Sequence, residues 1–188
     1  MKGVIFKHFE SFITDTFGAS TFEAVLEQTP LRSALPFVGP ATYPDEDLFA
    51  LAGTAIRLSG LAPDAALFAF GRYLYPRLAA GVPGLIQRHR DTRSLLMELD
   101  REIHVEVRKI MPQAVTPRIL CRDLGDGALE VTYRSPRMVC ALFRGLVDAA
   151  AESFGERALP VERECVHHGA EACRFELRFE AIAAEAAA

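Results

Sequence analysis

The sequence predicts a single domain with an α+β fold, and three observations support this prediction. Apolar residues recur at helical spacing through most of residues 1–112. Residues 113–180 instead contain stretches in which apolar and polar residues alternate, as they do in strands. A Gly-Asp-Gly sequence at 125–127 is typical of a hairpin turn. We therefore expect a mainly helical N-terminal lobe and an α+β lobe with a four-stranded antiparallel sheet.

Two helices and a loop are predicted at the start of the chain. The first helix covers residues 3–17, and its apolar face consists of Val4, Ile5, Phe9, Phe12, Ile13 and Phe17. A second, shorter helix begins near Ser20 or Thr21 and ends before Pro30. Prolines and a glycine then make residues 31–43 a loop.

Two further helices follow this loop. Proline and three acidic residues at 44–47 are typical of a helix start, and the helix continues to Gly60. The next helix begins at Pro63 and continues towards Leu78. A break with glycines and a short basic turn occupy residues 81–90.

A long helix is predicted from Asp91 or Thr92 to about Met111, because Pro112 cannot continue it. Its apolar face consists of Leu95, Leu96, Leu99, Ile103, Val107 and Ile110. His104 lies at the margin of this apolar stripe. A histidine in such a position is more often a hydrogen-bonded core residue than a metal ligand. The pattern alone leaves both interpretations open.

The C-terminal lobe is expected to contain four strands and one helix. The strands are predicted at residues 118–123, 129–135, 159–166 and 172–179. The helix covers residues 138–154 and is closed by Gly155. The alanine-rich residues 181–188 are expected to form a disordered tail.

Alternation in the second strand predicts which side chains face the core. Leu129 and Val131 face inward, and Tyr133, Ser135 and Arg137 share that face if the alternation persists. A buried guanidinium needs an anionic partner. No nearby acidic residue has the matching parity, so we expect a ligand that carries carboxylates. The alternative interpretation is that the strand ends at Tyr133 and a polar turn follows.

The sequence Tyr133-x-Ser135-x-Arg137 resembles the heme-propionate motif of the heme-nitric oxide/oxygen-binding (H-NOX) family. This family includes the sensor domain of soluble guanylate cyclase. Residues 1–6 and the segment 99–117 also resemble that family, and the resemblance extends over nearly the whole chain.

The resemblance implies a fold and a cofactor. Residues 1–180 would form one H-NOX domain with heme b between its lobes, His104 as the iron ligand and the three motif residues at the propionates. Pro117 matches a proline that distorts the porphyrin. The remaining pocket walls are expected from Ile5, Phe9, Phe70, Leu74 and Leu142.

The resemblance also indicates which gas the heme binds. In the oxygen-binding branch of the family, a distal tyrosine lies five residues beyond the motif arginine, and here that position is Leu142. Two further distal positions match Phe9 and Leu74, which cannot donate a hydrogen bond. Because dioxygen depends on such a donor, we predict a heme that binds nitric oxide and carbon monoxide and discriminates against dioxygen.

The cysteines allow a second interpretation. The spacing of Cys140, Cys165 and Cys173 resembles a zinc and thiol-redox site in part of the family, where a histidine completes the set of ligands. Glu162 replaces that histidine here, so the zinc site depends on a carboxylate or on another histidine. The histidines nearby are His167 and His168. The alternative is that the thiols are reduced and buried, and that Cys165 and Cys173 face each other across a hairpin.

Composition narrows the class of function. A net charge of −4 gives no argument for binding to nucleic acid or to an anionic membrane. No run of roughly 18 apolar residues and no signal peptide is present, so we expect a cytoplasmic protein. We find no phosphate-binding loop and no nucleophile elbow, and we do not expect an enzyme.

The leading hypothesis is a stand-alone bacterial heme-based nitric oxide sensor. It would regulate a partner, for which the resemblance suggests a histidine kinase or a cyclic-di-GMP enzyme. The alternative hypothesis is a zinc/thiol redox-sensing regulatory protein that uses the cysteines.

Overall fold

A helical N-terminal lobe packs against an α+β lobe in the computed structural model, which describes residues 1–182. The helices of the first lobe are α1 (Gly3–Phe17), α2 (Ala19–Glu27), α3 (Asp45–Ser59), α4 (Pro63–Ala80) and α5 (Pro83–Ile86). The first four helices confirm the sequence prediction. The short α5 lies inside the predicted break, where Pro83 occupies the first helical position.

Aromatic rings fill the centre of the N-terminal lobe. Phe9 and Phe70 meet edge to face with their ring centroids 5.5 Å apart, and Phe6 lies 4.3 Å from Phe37. These four side chains are all buried. Their packing joins α1 to α4 and to the loop before α3.

The prediction of one continuous α-helix from Asp91 or Thr92 to about Met111 is wrong. It is divided into α6 (Thr92–Glu98), a π-helical segment (Leu99–Ile103) and α7 (His104–Ile110). The Asp91 carboxylate caps α6 by accepting a hydrogen bond from the backbone N–H of Ser94. In the π segment, the backbone N–H of His104 donates to the carbonyl of Leu99, five residues earlier. The wider turn changes which face α7 presents relative to α6.

The second lobe contains the predicted four-stranded antiparallel sheet. Its strands are β1 (Arg118–Gly125), β2 (Ala128–Arg134), β3 (Glu156–Glu164) and β4 (Cys173–Ala181), in the order β1-β2-β4-β3. Helix α8 (Cys140–Ser153) packs on one face of the sheet, and a 3₁₀ turn (Val166–His168) precedes β4. β4 includes Ala181, which was predicted to begin the tail; residues 183–188 of that tail lie outside the described residues.

Helices α4 and α8 join the two lobes at a close crossing. A Cβ atom added to Gly71 would overlap the carbonyl oxygen of Leu142, and one added to Gly145 would overlap the carbonyl oxygen of Phe68. The two backbones therefore meet with no side chain between them at this point. Among the helices in residues 1–182, none has the length and hydropathy needed to cross a bilayer.

Candidate functional site

A cavity of about 730 Å³ is lined by residues of both lobes. This volume lies within the range of sites that enclose a small molecule or cofactor. The sequence-predicted residues that line it are Ile5, Phe9, Phe70, Leu74, His104, Pro117, Tyr133, Ser135, Arg137 and Leu142. The fold thus brings together every residue predicted for the heme pocket.

One part of the cavity is apolar, and we call it the distal wall. It consists of Ile5, Phe9, Phe70, Leu74 and Leu142, which α1, α4 and α8 contribute. Phe9, Phe70 and Leu74 are buried, and the other two are partly buried. None of these five side chains contains a hydrogen-bond donor. A molecule held against them meets only hydrocarbon.

His104 contributes an imidazole to the cavity from the start of α7. Its side chain is 13% exposed, and its Nδ1 lies 3.2 Å from Oδ1 of Asp100. Burial lowers the pKa of His104 and outweighs the opposite effect of Asp100, so the imidazole is neutral at neutral pH. Within residues 1–182 no hydrogen bond involves Nε2, which leaves that nitrogen available to a ligand.

The π segment explains how His104 reaches the cavity. Five residues of an α-helix rotate by about 500°, which would leave His104 about 140° away from Leu99. A π turn is closed by a hydrogen bond between residues five apart, so it brings His104 back towards the side of Leu99. Both residues line the cavity, together with Ile103 and Val107. The sequence prediction put His104 at the margin of the apolar stripe because it was based on a regular α-helix.

The polar edge of the cavity consists of Tyr133, Ser135 and Arg137. Tyr133 lies near the end of β2, where it is 4% exposed, and its ring stacks on Phe143 with the centroids 4.9 Å apart. Burial raises the pKa of Tyr133, so its hydroxyl stays protonated and can donate. The Ser135 hydroxyl accepts a hydrogen bond from the backbone N–H of Arg137 at 3.2 Å.

The backbone of this edge follows the alternative interpretation of the sequence. β2 ends at Arg134, one residue beyond Tyr133, and a turn follows in which Met138 N–H donates to the carbonyl of Ser135. The predicted strand alternation therefore does not extend to Arg137. The turn nevertheless keeps Ser135 and Arg137 against the cavity.

Arg137 has an acidic protein partner that strand parity did not identify, and the expected ligand carboxylate stays a prediction. Its Nε lies 2.6 Å from Oδ2 of Asp45, and Nη1 donates to the carbonyl of Val115 at 2.8 Å. Asp45 precedes Arg137 by 92 residues, and local parity therefore could not identify it. A guanidinium carries five N–H groups, so further donors remain for a ligand carboxylate.

Oδ1 of Asp45 also lies 2.6 Å from the amino nitrogen of Met1. Burial would raise the pKa of Asp45, but the hydrogen bonds from Met1 and Arg137 outweigh burial and lower it. The carboxylate is therefore ionised at neutral pH. The sequence analysis identified neither Asp45 nor Asp100 as a contact of the predicted site residues. Asp100 lies four residues before His104, a helical spacing that was a usable signal.

The residues present fit the predicted cofactor. Heme needs a large apolar cavity, an axial ligand and partners for two carboxylates. The cavity offers hydrocarbon surface, the neutral imidazole of His104 and, at one edge, two hydroxyls and a guanidinium. Pro117 lies directly before β1 and lines the same cavity. The individual roles of these residues stay predictions.

A cluster of three thiols lies outside the cavity. Cys140, Cys165 and Cys173 are buried, and their sulfur atoms all lie within 4.8 Å of one another. The Cys165 sulfur is 3.7 Å from each of the other two, and all three cysteines are free. Burial, followed by the hydrogen bond with Cys165, raises the pKa of Cys140 to about 12. Without a metal the Cys140 thiol is therefore protonated at neutral pH.

The residues around this thiol cluster differ in what they offer a metal. Glu162 and His168 each lie within 4.8 Å of Cys165 and are exposed. His167 instead places its Nε2 2.8 Å from the carbonyl of Met138. Cys173 pairs with Tyr133 in the ladder between β2 and β4. The cluster is thus adjacent to the polar edge of the cavity.

Comparison with known proteins identifies similar sequences and structures. The Haem-NO-binding family model matches residues 2–160. An H-NOX protein from S. oneidensis in the Fe(II)NO ligation state has a TM-score of 0.89 at 26% identity, covering 96% of this chain and 99% of that chain. The IWP-051-bound H-NOX from Shewanella woodyi in the Fe(II)CO ligation state has a TM-score of 0.83 at 28% identity. This alignment covers 100% of this chain and 99% of that chain.

A third structure shows similarity of fold alone. It is an oxygen-binding H-NOX domain related to soluble guanylate cyclases, in its oxygen complex. Its TM-score is 0.79 at 19% identity, and the alignment covers 97% of each chain. No curated protein sequence matches the chain.

Proposed function

The chain belongs to the Haem-NO-binding (H-NOX) family, and we propose that it is a bacterial nitric oxide sensor that discriminates against dioxygen and regulates a partner protein in the cytoplasm. Members of this family are heme-based gas sensors. The observation that carries the proposal is one cavity that combines a neutral imidazole, a polar edge and a distal wall without donors.

The proposed cofactor is heme b, which supplies an iron atom that binds diatomic gases. His104 would bind the iron through Nε2, since Nδ1 is engaged by Asp100. Tyr133, Ser135 and Arg137 would hold the propionates, because hydroxyls and a guanidinium donate to carboxylates. Pro117 would contact the porphyrin.

The distal wall supports the proposed choice of gas. Dioxygen is retained in heme proteins when a distal group donates a hydrogen bond to it. Phe9, Leu74 and Leu142 occupy the positions that the resemblance implies for such donors, and none of these side chains can donate. Nitric oxide and carbon monoxide bind without this help. The wall therefore favours these two gases over dioxygen.

The test is the visible absorption spectrum of the ferrous protein supplied with heme. We expect a strong Soret band that shifts with nitric oxide and with carbon monoxide, and no stable oxygen complex in air. His104→Gly should weaken or abolish the band, whereas Leu85→Ala, outside the distal wall, should leave it in place. A protein that stays colourless would refute the heme site. An air-stable oxygen complex would refute only the choice of gas.

We further propose that the regulated partner is a histidine kinase or a cyclic-di-GMP enzyme, as the family resemblance suggests. His104 begins α7, so a change in what its imidazole binds is transmitted directly to that helix. The test measures the activity of a kinase or cyclic-di-GMP enzyme encoded beside this protein, with and without the nitric oxide complex. Equal activity in both conditions would exclude that partner.

The thiol cluster favours a second candidate function, a zinc or thiol-redox regulatory site. Three buried sulfur atoms within 4.8 Å of one another match the number of thiolates in a Cys₃His zinc site. His168 or Glu162 would supply the fourth ligand, since both lie near Cys165. Metal analysis of protein purified without a histidine tag should find one zinc per chain, and Cys165→Ser should lose it. A metal-free wild-type protein would leave only the thiol-redox option.

A further inference from the structure

The hydrogen bond between His104 and Asp100 joins the cavity to the π segment. Nδ1 of the imidazole lies 3.2 Å from Oδ1 of Asp100. The side chains are 13% and 27% exposed, so water screens the bond less than it would at the open surface. Within residues 1–182 the Asp100 carboxylate makes no other hydrogen bond or ion pair.

A carboxylate partner fixes the protonation of a neutral imidazole. A carboxylate oxygen accepts hydrogen bonds, so in this contact the proton of the neutral imidazole lies on Nδ1. The lone pair of Nε2 is then free to bind a metal. A carboxylate in this position also raises the basicity of the imidazole and restrains the ring.

The neighbouring acidic side chains show that this contact is specific. Glu102 belongs to the same π segment, but its side chain is exposed and its carboxylate makes no hydrogen bond within the described part of the chain. Glu98 lies 3.6 Å from Arg101, outside the contact with His104. Of the acidic residues on this segment, Asp100 alone reaches the imidazole.

We propose that Asp100 is a positioning residue that holds His104 as the Nδ1–H tautomer and strengthens its bond to the iron, and thereby sets how readily nitric oxide releases His104. This inference rests on the proposed heme function. Its contrary is that the contact is an ordinary helical pair between residues four apart, which stabilises the helix and nothing else.

The first test needs no heme. Long-range ¹H–¹⁵N NMR of the cofactor-free protein reports which ring nitrogen of His104 carries the proton. We expect a single Nδ1–H tautomer in the wild type, loss of that preference in Asp100→Ala, and its recovery in Asp100→Glu. Glu102→Ala is the matched control, since it removes an acid from the same segment, and it should behave as the wild type. A wild type protonated on Nε2, or no change in Asp100→Ala, would overturn the inference.

The second test uses the ferrous, heme-loaded protein. Resonance Raman spectroscopy should show a lower Fe–His stretching frequency in Asp100→Ala and a value near the wild type in Asp100→Glu. In the nitric oxide complex, the ratio of protein that has lost the His104 bond to protein that retains it should rise about ten-fold or more in Asp100→Ala. Equal frequencies in Asp100→Ala and the wild type would overturn the inference.

The two tests separate this inference from the proposed function. If the wild type takes up no heme, the proposed function fails, whereas the NMR experiment still decides the tautomer. If heme binds and the Raman frequency does not depend on residue 100, the function stands and the role of Asp100 is refuted. A merely structural role would reduce stability without moving either spectroscopic signal.

Discussion

The distal wall and the polar edge belong to one cavity, but they are built in different ways. The wall consists of side chains from the interiors of α1, α4 and α8, and phenylalanine packing holds part of it. The edge lies at the end of β2 and in the turn after it, where Asp45 of a distant helix completes it. The proposed attachment of heme and the proposed choice of gas would therefore depend on separate elements, so each should be changeable without the other.

The largest expected effect is at the polar edge. Arg137→Ala removes a charged donor from the predicted propionate site, which should cost about 1.5–3 kcal/mol of heme-binding free energy. This corresponds to about a 10- to 150-fold loss of affinity, measurable by transfer of heme to a competing apo-globin. Arg134→Ala is the control, because Arg134 is exposed at the end of the same strand. Equal losses in both variants would contradict a specific role for Arg137.

An intermediate effect is expected at the distal wall. Leu142→Tyr adds a hydroxyl donor to a wall that has none, and one hydrogen bond of about 1 kcal/mol should raise dioxygen affinity about five-fold. Stopped-flow measurement of oxygen dissociation would detect the change, while heme affinity should stay near that of the wild type. Leu142→Phe supplies the ring without the hydroxyl. If Leu142→Phe and Leu142→Tyr change the dioxygen affinity equally, the size of the side chain and not its hydrogen bond controls that affinity.

The smallest effect concerns acid stability at the edge. The hydrogen bonds that lower the pKa of Asp45 in the folded protein, against the effect of burial, stabilise the fold above about pH 4, and this contribution is lost as the pH falls through the lowered pKa. Asp45 is partly exposed, so we expect less than about 1 kcal/mol. The free energy of unfolding of the cofactor-free protein, measured in urea between pH 6 and pH 3, should therefore fall less in Asp45→Asn than in the wild type.

The distal wall provides the control for this measurement. Leu142→Phe changes no titratable group, so its unfolding free energy should depend on pH as that of the wild type does. If Asp45→Asn also matched the wild type across this pH interval, the pair between Asp45 and Arg137 would contribute nothing to stability.

Sequence periodicity correctly predicted which side chains of β2 are buried, because this depends on the local alternation of residues along the strand. Alternation placed Leu129, Val131 and Tyr133 on the buried face of β2, and all three are buried. The family resemblance supplied the cavity residues, which no periodicity could have assembled from both lobes. The zinc prediction needs a fourth ligand beside the three thiols, and the fold places both Glu162 and His168 near Cys165.

Two features of the site could not be predicted from sequence patterns. The π segment differs from a regular helix by one hydrogen-bond register, and the residues 99–103 show no propensity that separates the two. The partner of Arg137 could not be found from strand parity, because Asp45 comes from the start of α3, far away along the chain. The first is a local change of register, and the second is a contact between distant parts of the chain.

The close crossing of α4 and α8 makes the shape of the cavity depend on Gly71 and Gly145, which do not line it. Phe70 and Leu74 flank Gly71, and Leu142 and Leu146 flank Gly145, and all four of these neighbours line the cavity. A methyl group at either glycine would have to displace a whole helix, since its obstacle is backbone and no rotamer can relieve it. A substitution at either glycine would therefore change the width of the cavity from outside it.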